Sequence, residues 1–229
     1  DLEPPFLVIK PDMSEEDFYR LAGEDSDWEY LDGRIVVHSP ASDRHEDLFR
    51  FLLTLWSYVL GKRGDGVVRG SRFPMRLDPR WSPEPDLLVV RRERIGLLGR
   101  QRLEGPADLV VEILSDHDSH LVHKEKLPRY REAAIPEIWI VDPKRREVLV
   151  DRLGPAGREA WTISEGRLES AAVPGFWIDV GWLWHEELPP PHECIAHILG
   201  DAGPAGLGQD PAVGIEDHGV PRPDHGDAP

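Results

Sequence analysis

Two short apolar runs stand near the middle of the chain, at residues 87–90 and 109–114. Prolines at positions 83 and 85 precede the first run, and Gly105-Pro106 precedes the second. Both runs are rich in Leu, Val and Ile, and a run of this length after a turn signal is typical of a buried strand. The pattern therefore predicts two core strands that can lie side by side in one sheet.

Ser14 as an N-cap followed by three acids predicts a helix over residues 14–23, and apolar residues at helical spacing predict another over 42–60. Residues 119–134 have helix character as well. Ser42 is in the position of an N-cap for the second of these. The third contains Pro128, which cannot donate a backbone hydrogen bond and crowds the preceding turn. We therefore expect this helix to kink there or to begin near Lys126, so that Lys126 lies at an irregular point.

Further strands are indicated on both sides of the central pair. Asp32-Gly33 is a strong hairpin signal because this dipeptide suits a type I′ turn. Alternation and turn residues predict the remaining strands at 28–31, 34–38, 67–77, 137–141, 147–153, 160–164 and 167–172. We predict an α/β fold with a central mixed sheet flanked by helices, an N-terminal hairpin and a C-terminal antiparallel meander.

Composition divides the chain into three parts. Residues 1–27 form a lead, loosely held over its first eleven residues, with a short helix. Residues 28–185 carry the predicted α/β domain. From residue 186 Pro, Gly and acidic residues dominate, with nine acids against one arginine, and apolar spacing is lost. Such a composition is typical of a disordered tail.

Cysteine content and hydropathy limit the class of protein. The single cysteine, Cys194, excludes an intramolecular disulfide and a Cys-based zinc site and favours the reducing cytoplasm. No apolar stretch approaches 18 residues, so neither a signal peptide nor a transmembrane helix is expected. The net charge of −16 is unfavourable for binding nucleic acid, although the tail holds much of it.

Each central strand carries one acid that does not suit an apolar environment. Asp86 directly precedes the first run, and Glu112 lies inside the second. A buried carboxylate is costly unless a cation or hydrogen-bond donors satisfy it. Because adjacent strands lie about 5 Å apart, the two carboxylates can converge on one divalent cation. Alternatively, Asp86 caps a turn and Glu112 pairs with an arginine.

Mg²⁺ or Mn²⁺ is the ion that these residues suggest. Two carboxylates suffice for Mg²⁺, which keeps several waters, and a backbone carbonyl near Ile113 is a candidate third ligand. Such an ion suits the hydrolysis of a phosphodiester bond, because it can activate water and neutralise charge on the phosphate. Lys126, on the next predicted helix, would then orient the attacking water, help to deprotonate it or contact the scissile phosphate. A lysine at such a position is otherwise a solvated surface residue.

Histidines suggest two further hypotheses. His45 falls on the first turn of the 42–60 helix, where it is either a surface or capping histidine or a residue that points into the metal cleft. His117, His120 and His123 are spaced at intervals of three, which places them along one side of a helix. A transition-metal site there is an alternative to the carboxylate site.

Basic residues form two clusters within the predicted domain. One consists of Arg91, Arg92, Arg94, Arg100 and Arg102, between the two carboxylate strands. The other is the turn with Lys144, Arg145 and Arg146. Each is either an ordinary solvated surface or a phosphate contact beside the active site.

The motifs WEYLDGRIVVHSP, PDLLVV, DLVVEILS, KLPRY and AAIPEIWIVDP together resemble the PD-(D/E)XK nuclease superfamily. Within it they resemble the bacterial family named putative restriction endonuclease, over roughly residues 28–184. The resemblance implies a restriction-endonuclease-like fold and a metal-dependent DNA endonuclease. It matches Asp86 and Glu112 to the motif acids and Lys126 to the motif lysine. It matches His45 to a histidine of the first family helix.

This chain departs from the family pattern after the second strand. Ser115-Asp116-His117-Asp118 replaces a Pro-Ser-Thr segment, Val122 replaces an Asp, and Ala134 replaces a Gly. These changes and the acidic charge favour an alternative function, an inactive nuclease-fold module that binds DNA or protein. A homodimer is also conceivable, through an edge strand near residues 147–153.

Overall fold

The computed structural model of the 229-residue chain describes residues 7–22, 28–70, 73–115 and 119–200. Helices α1 to α5 within them are Glu15–Leu21, Asp43–Arg63, Ser119–Leu121, Leu127–Glu132 and Pro191–Ile198. A π-helical turn covers Val122–Lys126, and 3-10 helices cover Arg92–Leu97 and Val180–Trp184. Strands β1 to β14 are Leu7–Lys10, Trp28–Leu31, Arg34–His38, Gly66–Gly70, Met75–Arg76, Trp81–Ser82, Leu87–Arg91, Leu103–Glu104, Leu109–Ile113, Glu137–Asp142, Glu147–Gly154, Gly157–Ile163, Arg167–Glu169 and Trp177–Asp179.

A six-stranded sheet with the order β12-β11-β10-β9-β7-β4 forms the centre of the fold. Strands β9 and β10 are parallel, and the other neighbouring pairs of this sheet are antiparallel. Helix α2 packs on one face, and α4 packs on the other. Because both faces are covered, β7 and β9 are buried along their apolar positions. The α/β class and the mixed central sheet are thus confirmed.

Helix α2 is held by caps at both ends. The Ser42 hydroxyl accepts a hydrogen bond from the backbone N–H of His45 at 3.2 Å, and Gly64 ends the helix in the left-handed conformation at φ 69°. Seven apolar side chains of the helix are buried against the sheet. Among the described residues, no helix is long and apolar enough to cross a membrane.

The predicted N-terminal hairpin is part of a four-stranded sheet with the order β1-β3-β2-β6. Asp32 and Gly33 have φ angles of 49° and 75°, the two positive values that a type I′ turn requires. Residues 7–10, which we expected to be loosely held, form β1 and pair with β3. That expectation is wrong because the outer edge of β3 offers unpaired backbone groups to which the lead can bond.

Three strand predictions differ from the structure. The predicted strand 67–77 is divided into β4 and β5, with residues 71–72 outside the described part. Strand β13 pairs with β14 in a separate sheet, so it does not continue the meander after β12. Strand β11 lies between β10 and β12, so the expectation of an edge strand near residues 147–153 is wrong.

The ordered part of the chain extends beyond residue 186. Helix α5 buries Cys194, Ile195 and Ile198 in the same core cluster as α2. Positions 194, 195 and 198 lie on one side of a helix, and a proline begins it, so this short segment can form an amphipathic helix. The expected loose tail is therefore wrong for residues 191–198, while residues 201–229 lie outside the described part.

Candidate active site

The register of β7 and β9 brings Asp86 and Glu112 to the same end of the sheet. Leu87 pairs with Val111, so the next residues outward, Asp86 and Glu112, stand opposite each other. The Asp86 Oδ2 atom accepts a hydrogen bond from the backbone N–H of Ile113 at 2.6 Å. Glu112 is only 4 % exposed and occupies the face of β9 that α4 covers. Two carboxylates from neighbouring strands thus converge beneath α4.

Lys126 reaches this pair from the π-helical turn. Its Nζ atom lies 2.8 Å from Glu112 Oε1 and 2.9 Å from Glu29 Oε2, and the side chain is 3 % exposed. In the turn, the backbone N–H of Leu127 bonds to the carbonyl of Val122, five residues earlier. Pro128 follows directly and has no N–H to donate, which favours such a widened turn. The irregularity expected at Lys126 is present, and Lys126 is not a solvated surface lysine.

Glu29 is the residue of this site that we did not predict. It lies in β2 and is 3 % exposed. Its Oε1 atom is 2.7 Å from Nε2 of His38, and its Oε2 atom accepts the backbone N–H of Glu84 at 2.9 Å. The signal was present, because Glu29 is an acid among Trp28, Tyr30 and Leu31, the same pattern that singled out Glu112.

Tyr130 completes the surroundings of Glu112. Its hydroxyl donates to Glu112 Oε1 at 2.5 Å. Tyr130 follows Lys126 by four residues, so both side chains lie on the same side of the helical segment. Glu112 therefore has a cation and a neutral donor on one oxygen atom and is not paired with an arginine, which was the alternative for a buried acid.

Burial and neighbouring charges shift the two glutamates in opposite directions. Burial raises the pKa of Glu112 to about 7, because Lys126 offsets only part of that effect while Asp86 and Glu29 add to it. Burial also acts to raise the pKa of Glu29, but Lys126 and His38 outweigh it and lower that pKa to about 2. Burial opposes the charge of Lys126, and the two carboxylates overcome this and raise its pKa. Lys126 is therefore an ammonium group.

His45 contacts the other carboxylate. Its Nε2 atom lies 3.2 Å from Asp86 Oδ1, and its side chain is 12 % exposed. The capped first turn of α2 sets this direction. Of the two alternatives for His45, the structure places it in the cleft with Asp86, away from the surface.

The donor set fits a small oxygen-binding cation. Two carboxylates and a strand carbonyl are hard oxygen donors of the kind that Mg²⁺ and Mn²⁺ accept. The N–H and C=O of one strand residue point to the same side. Because the Ile113 N–H points at Asp86, its carbonyl is directed to that side too. Glu112 also has a raised pKa, as expected for a buried carboxylate whose negative charge is incompletely neutralised.

The histidine alternative receives no support from the described residues. His117 lies outside them. Within residues 7–22, 28–70, 73–115 and 119–200, no three His, Cys, Asp or Glu side chains form a group that could hold a metal. The carboxylate pair remains the better candidate because Mg²⁺ needs few protein ligands.

The two basic clusters lie at opposite ends of the central sheet. Arg91 ends β7, and Arg94 binds Asp108 at 2.8 Å, just before β9 begins. Glu112 is four residue steps after Asp108 along the strand, a distance of about 13 Å. Arg91 and Arg94 are therefore not beside the carboxylate pair, so of the two alternatives for this cluster the phosphate contact beside the active site does not apply to them. The turn after β10 lies at the same end as Glu112, because β9 and β10 are parallel.

Comparison with known proteins agrees with this fold. The family described as Putative restriction endonuclease matches residues 15–181. A solved structure, described as a putative nuclease belonging to DUF820 from Anabaena variabilis ATCC 29413, is similar with a TM-score of 0.60 and 16% identity. The similarity covers 81% of this chain and 99% of that chain. No curated protein matches the chain. Since the family match spans most of the chain, this protein belongs to the family described as Putative restriction endonuclease, with a restriction-endonuclease-like fold.

Proposed function

We propose that the protein is a Mg²⁺- or Mn²⁺-dependent endonuclease that hydrolyses DNA phosphodiester bonds. The observation that supports this most directly is the arrangement of Lys126 Nζ, 2.8 Å from Glu112, beside Asp86 at one end of the sheet. Family membership supports a nuclease in general terms. Metal dependence and the role of each residue are our own inference.

Asp86, Glu112 and the backbone carbonyl of Ile113 are the residues that would hold the ion. A bound Mg²⁺ supplies positive charge near the phosphate oxygens and lowers the pKa of a coordinated water. The hydrogen bond from the Ile113 N–H fixes one oxygen of Asp86, which leaves Oδ1 directed toward His45. His45 thereby positions the carboxylate of Asp86.

Lys126 acts as a donor of positive charge and hydrogen bonds. Its raised pKa makes it a poor base, so we assign it to orienting the attacking water or the scissile phosphate. Glu29 positions Lys126 by binding it at 2.9 Å, and its negative charge keeps the ammonium form favourable. Tyr130 positions Glu112 through its hydroxyl group. These contacts hold the reacting groups in place before substrate binds.

Cleavage of supercoiled plasmid DNA tests the proposal. The parent chain should convert the plasmid to nicked and linear forms with Mg²⁺ or Mn²⁺ and should not do so with EDTA. Asp86→Asn and Lys126→Ala should each lower the rate by roughly 100-fold or more, because each removes a group placed at the reacting phosphate. His45→Ala should lower the rate less, since His45 acts through Asp86.

Lys62→Ala is the matched control for the lysine variant. Lys62 is an exposed lysine in the last turn of α2, so its removal should leave cleavage unchanged. If Asp86→Asn and Lys126→Ala cut at the parental rate, this site does not perform the reaction. If the parent does not cut with either metal, the endonuclease proposal fails.

A second function is a nuclease-fold module that binds DNA or protein without turnover, and the net charge of −16 favours a protein partner for it. A buried valine, Val122, also stands where the family pattern has an aspartate. Metal-independent DNA binding without cleavage by the parent would support this function. A cytoplasmic location, suggested by the single cysteine, and a homodimer stay predictions.

A further inference from the structure

The turn after β10 is a basic surface at the same end of the sheet as the candidate active site. Ile113 and Val141 are paired across β9 and β10, and the turn with Lys144, Arg145 and Arg146 follows one residue later. Neighbouring strands lie about 5 Å apart, so the turn starts one strand from Glu112 and two strands from Asp86. Because Glu112 pairs with Ile140 and the turn begins three residues farther along, the turn is also displaced by about 10 Å along the strand axis. Its start is therefore about 14 Å from Asp86, the axial rise of about four nucleotides of a DNA strand.

A cavity next to the turn is lined in part by residues from the segments that carry Glu112 and Lys126. This cavity, of about 200 Å³, is lined by Leu114, His123, Asp142, Arg145 and Glu147, among others. Leu114 follows Glu112 by two residues, and His123 belongs to the same π-helical turn as Lys126. Burial lowers the pKa of His123, and the nearby charges of Arg145 and Lys124 lower it further, opposed by Asp142. Arg145 therefore lines this cavity, and the exposed Lys124 directly follows His123, another of its lining residues.

The acids of this cavity leave Arg145 accessible. Asp142 Oδ1 accepts the backbone N–H groups of Lys144 and Arg145, both at 3.0 Å, so that oxygen serves to close the turn. Arg145 lies 3.8 Å from Asp142 and 3.7 Å from Glu147, longer than hydrogen bonds, and its side chain is 75 % exposed. Ion pairs of this kind are weak and can be exchanged for a phosphate.

The arginine-rich segment at the other end of the sheet differs in this respect. Arg91 pairs with Glu93 at 2.5 Å, and Arg102 pairs with Glu104 at 2.6 Å. Arg94 binds both Asp108 and the carbonyl of Pro106. Arg91 and Arg94 serve local structure about 13 Å or more from the carboxylate pair along the strands, and Arg102 also lies over the Tyr19 ring.

We propose that Lys124, Arg145 and Arg146 form the surface that holds the nucleic-acid backbone on one side of the scissile phosphate. This inference rests on the proposed nuclease function and adds to it the direction in which the bound nucleic-acid backbone extends from the site. The backbone runs from Asp86 and Glu112 over Leu114 to the basic turn. The contacts are to phosphates, so they position the substrate without reading its sequence.

Salt-dependent DNA binding tests the surface. All binding is measured by fluorescence anisotropy with a labelled DNA duplex in the Asp86→Asn background, in which cleavage is expected to be lost. Adding Arg145→Gln with Arg146→Gln should weaken binding by roughly 10- to 50-fold at about 0.1 M salt and reduce the slope of log K against log salt by about 2. Lys124→Gln should reduce that slope by about 1.

Arg91→Gln with Arg92→Gln is the matched control, because it removes the same charge from two adjacent exposed arginines at the far end of the sheet. This control should bind within about twofold of its background. The proposed surface would be overturned if the Arg145/Arg146 variant and its background had equal slopes of log K against log salt. An equal loss of DNA affinity in the control would overturn it as well. Plasmid cleavage by the parent separates that failure from failure of the nuclease function. If the parent neither binds nor cuts DNA, both the nuclease function and the proposed surface are ruled out.

Discussion

Glu29 and Glu112 are the same residue type, both buried beside one lysine, yet the pKa of one is lowered and that of the other is raised. The difference comes from their other neighbours. Glu29 also contacts His38 and a backbone N–H, whereas Glu112 lies near the charges of Asp86 and Glu29. Glu29 is therefore the permanent counterion of Lys126, and Glu112 is the carboxylate that gains most from a further cation.

The depressed pKa of Glu29 predicts a pH-dependent contribution to stability. Its pKa is about 2 in the folded protein against 4.5 for an unperturbed glutamate. Its stabilising contribution is therefore present above about pH 4.5 and lost as the pH falls toward 2. We expect the free energy of unfolding of the parent to fall by about 1 kcal/mol more than that of Glu29→Gln between about pH 6.5 and pH 4.0.

Urea unfolding at the two pH values measures this difference. Glu165→Gln, at an exposed site outside the core, is the control and should follow the parent. Parallel loss of stability in the parent and in Glu29→Gln would mean that Glu29 is not held as a charged partner of Lys126.

At the level of elements, the segment Ser119–Glu132 shows how far local sequence determines structure. Pro128 predicts an irregular backbone near Lys126, and the structure has a π-helical turn there. The direction of the lysine depends in addition on Leu121 and Val122, which pack on the hairpin sheet and on the central sheet. The proline thus accounts for the π-helical turn, and packing on both sides of the segment sets the direction of the Lys126 side chain.

Helix α5 is expected to contribute to stability through its buried face. Ile195 is 8 % exposed in the core cluster shared with α2. Ile195→Ala should lower the free energy of unfolding by about 2–4 kcal/mol because it leaves a cavity in that core. His197→Ala, on the exposed side of the same helix, should change it by about 0.5 kcal/mol or less. Equal effects in urea unfolding would show that α5 does not pack on the core.

For the whole molecule, metal binding should couple to stability. A ligand that binds only the folded state at 100 times its dissociation constant adds about 2.7 kcal/mol. For a chain of this size, such a gain raises Tm by roughly 5–10 °C. We therefore expect Mg²⁺ to raise the Tm of the parent in thermal unfolding and to leave the Tm of Asp86→Asn nearly unchanged. A similar rise in both proteins would place the ion elsewhere.

The sequence predicted most of the site because its signals are local. Asp86 and Glu112 are acids at apolar strands, and Pro128 marks the irregular helix that carries Lys126. Glu29 has the same local signature, but β2 is buried on both faces, and no sequence pattern shows which buried acid faces the lysine. The sequence also left open whether the arginine-rich segment lies beside the site, since the positions of Arg91 and Arg94 depend on the direction of β7 in the sheet.

By itself, the sequence determined the α/β class, the hairpin turn, the two core strands and the acids on them. These follow from hydrophobic period, turn chemistry and the cost of burying charge, which act over a few residues. Tertiary structure alone decided that β9 lies between β7 and β10, that Glu29 meets Lys126, and which basic turn lies beside the site. Those facts depend on strand order and register, which distant parts of the chain set together by packing.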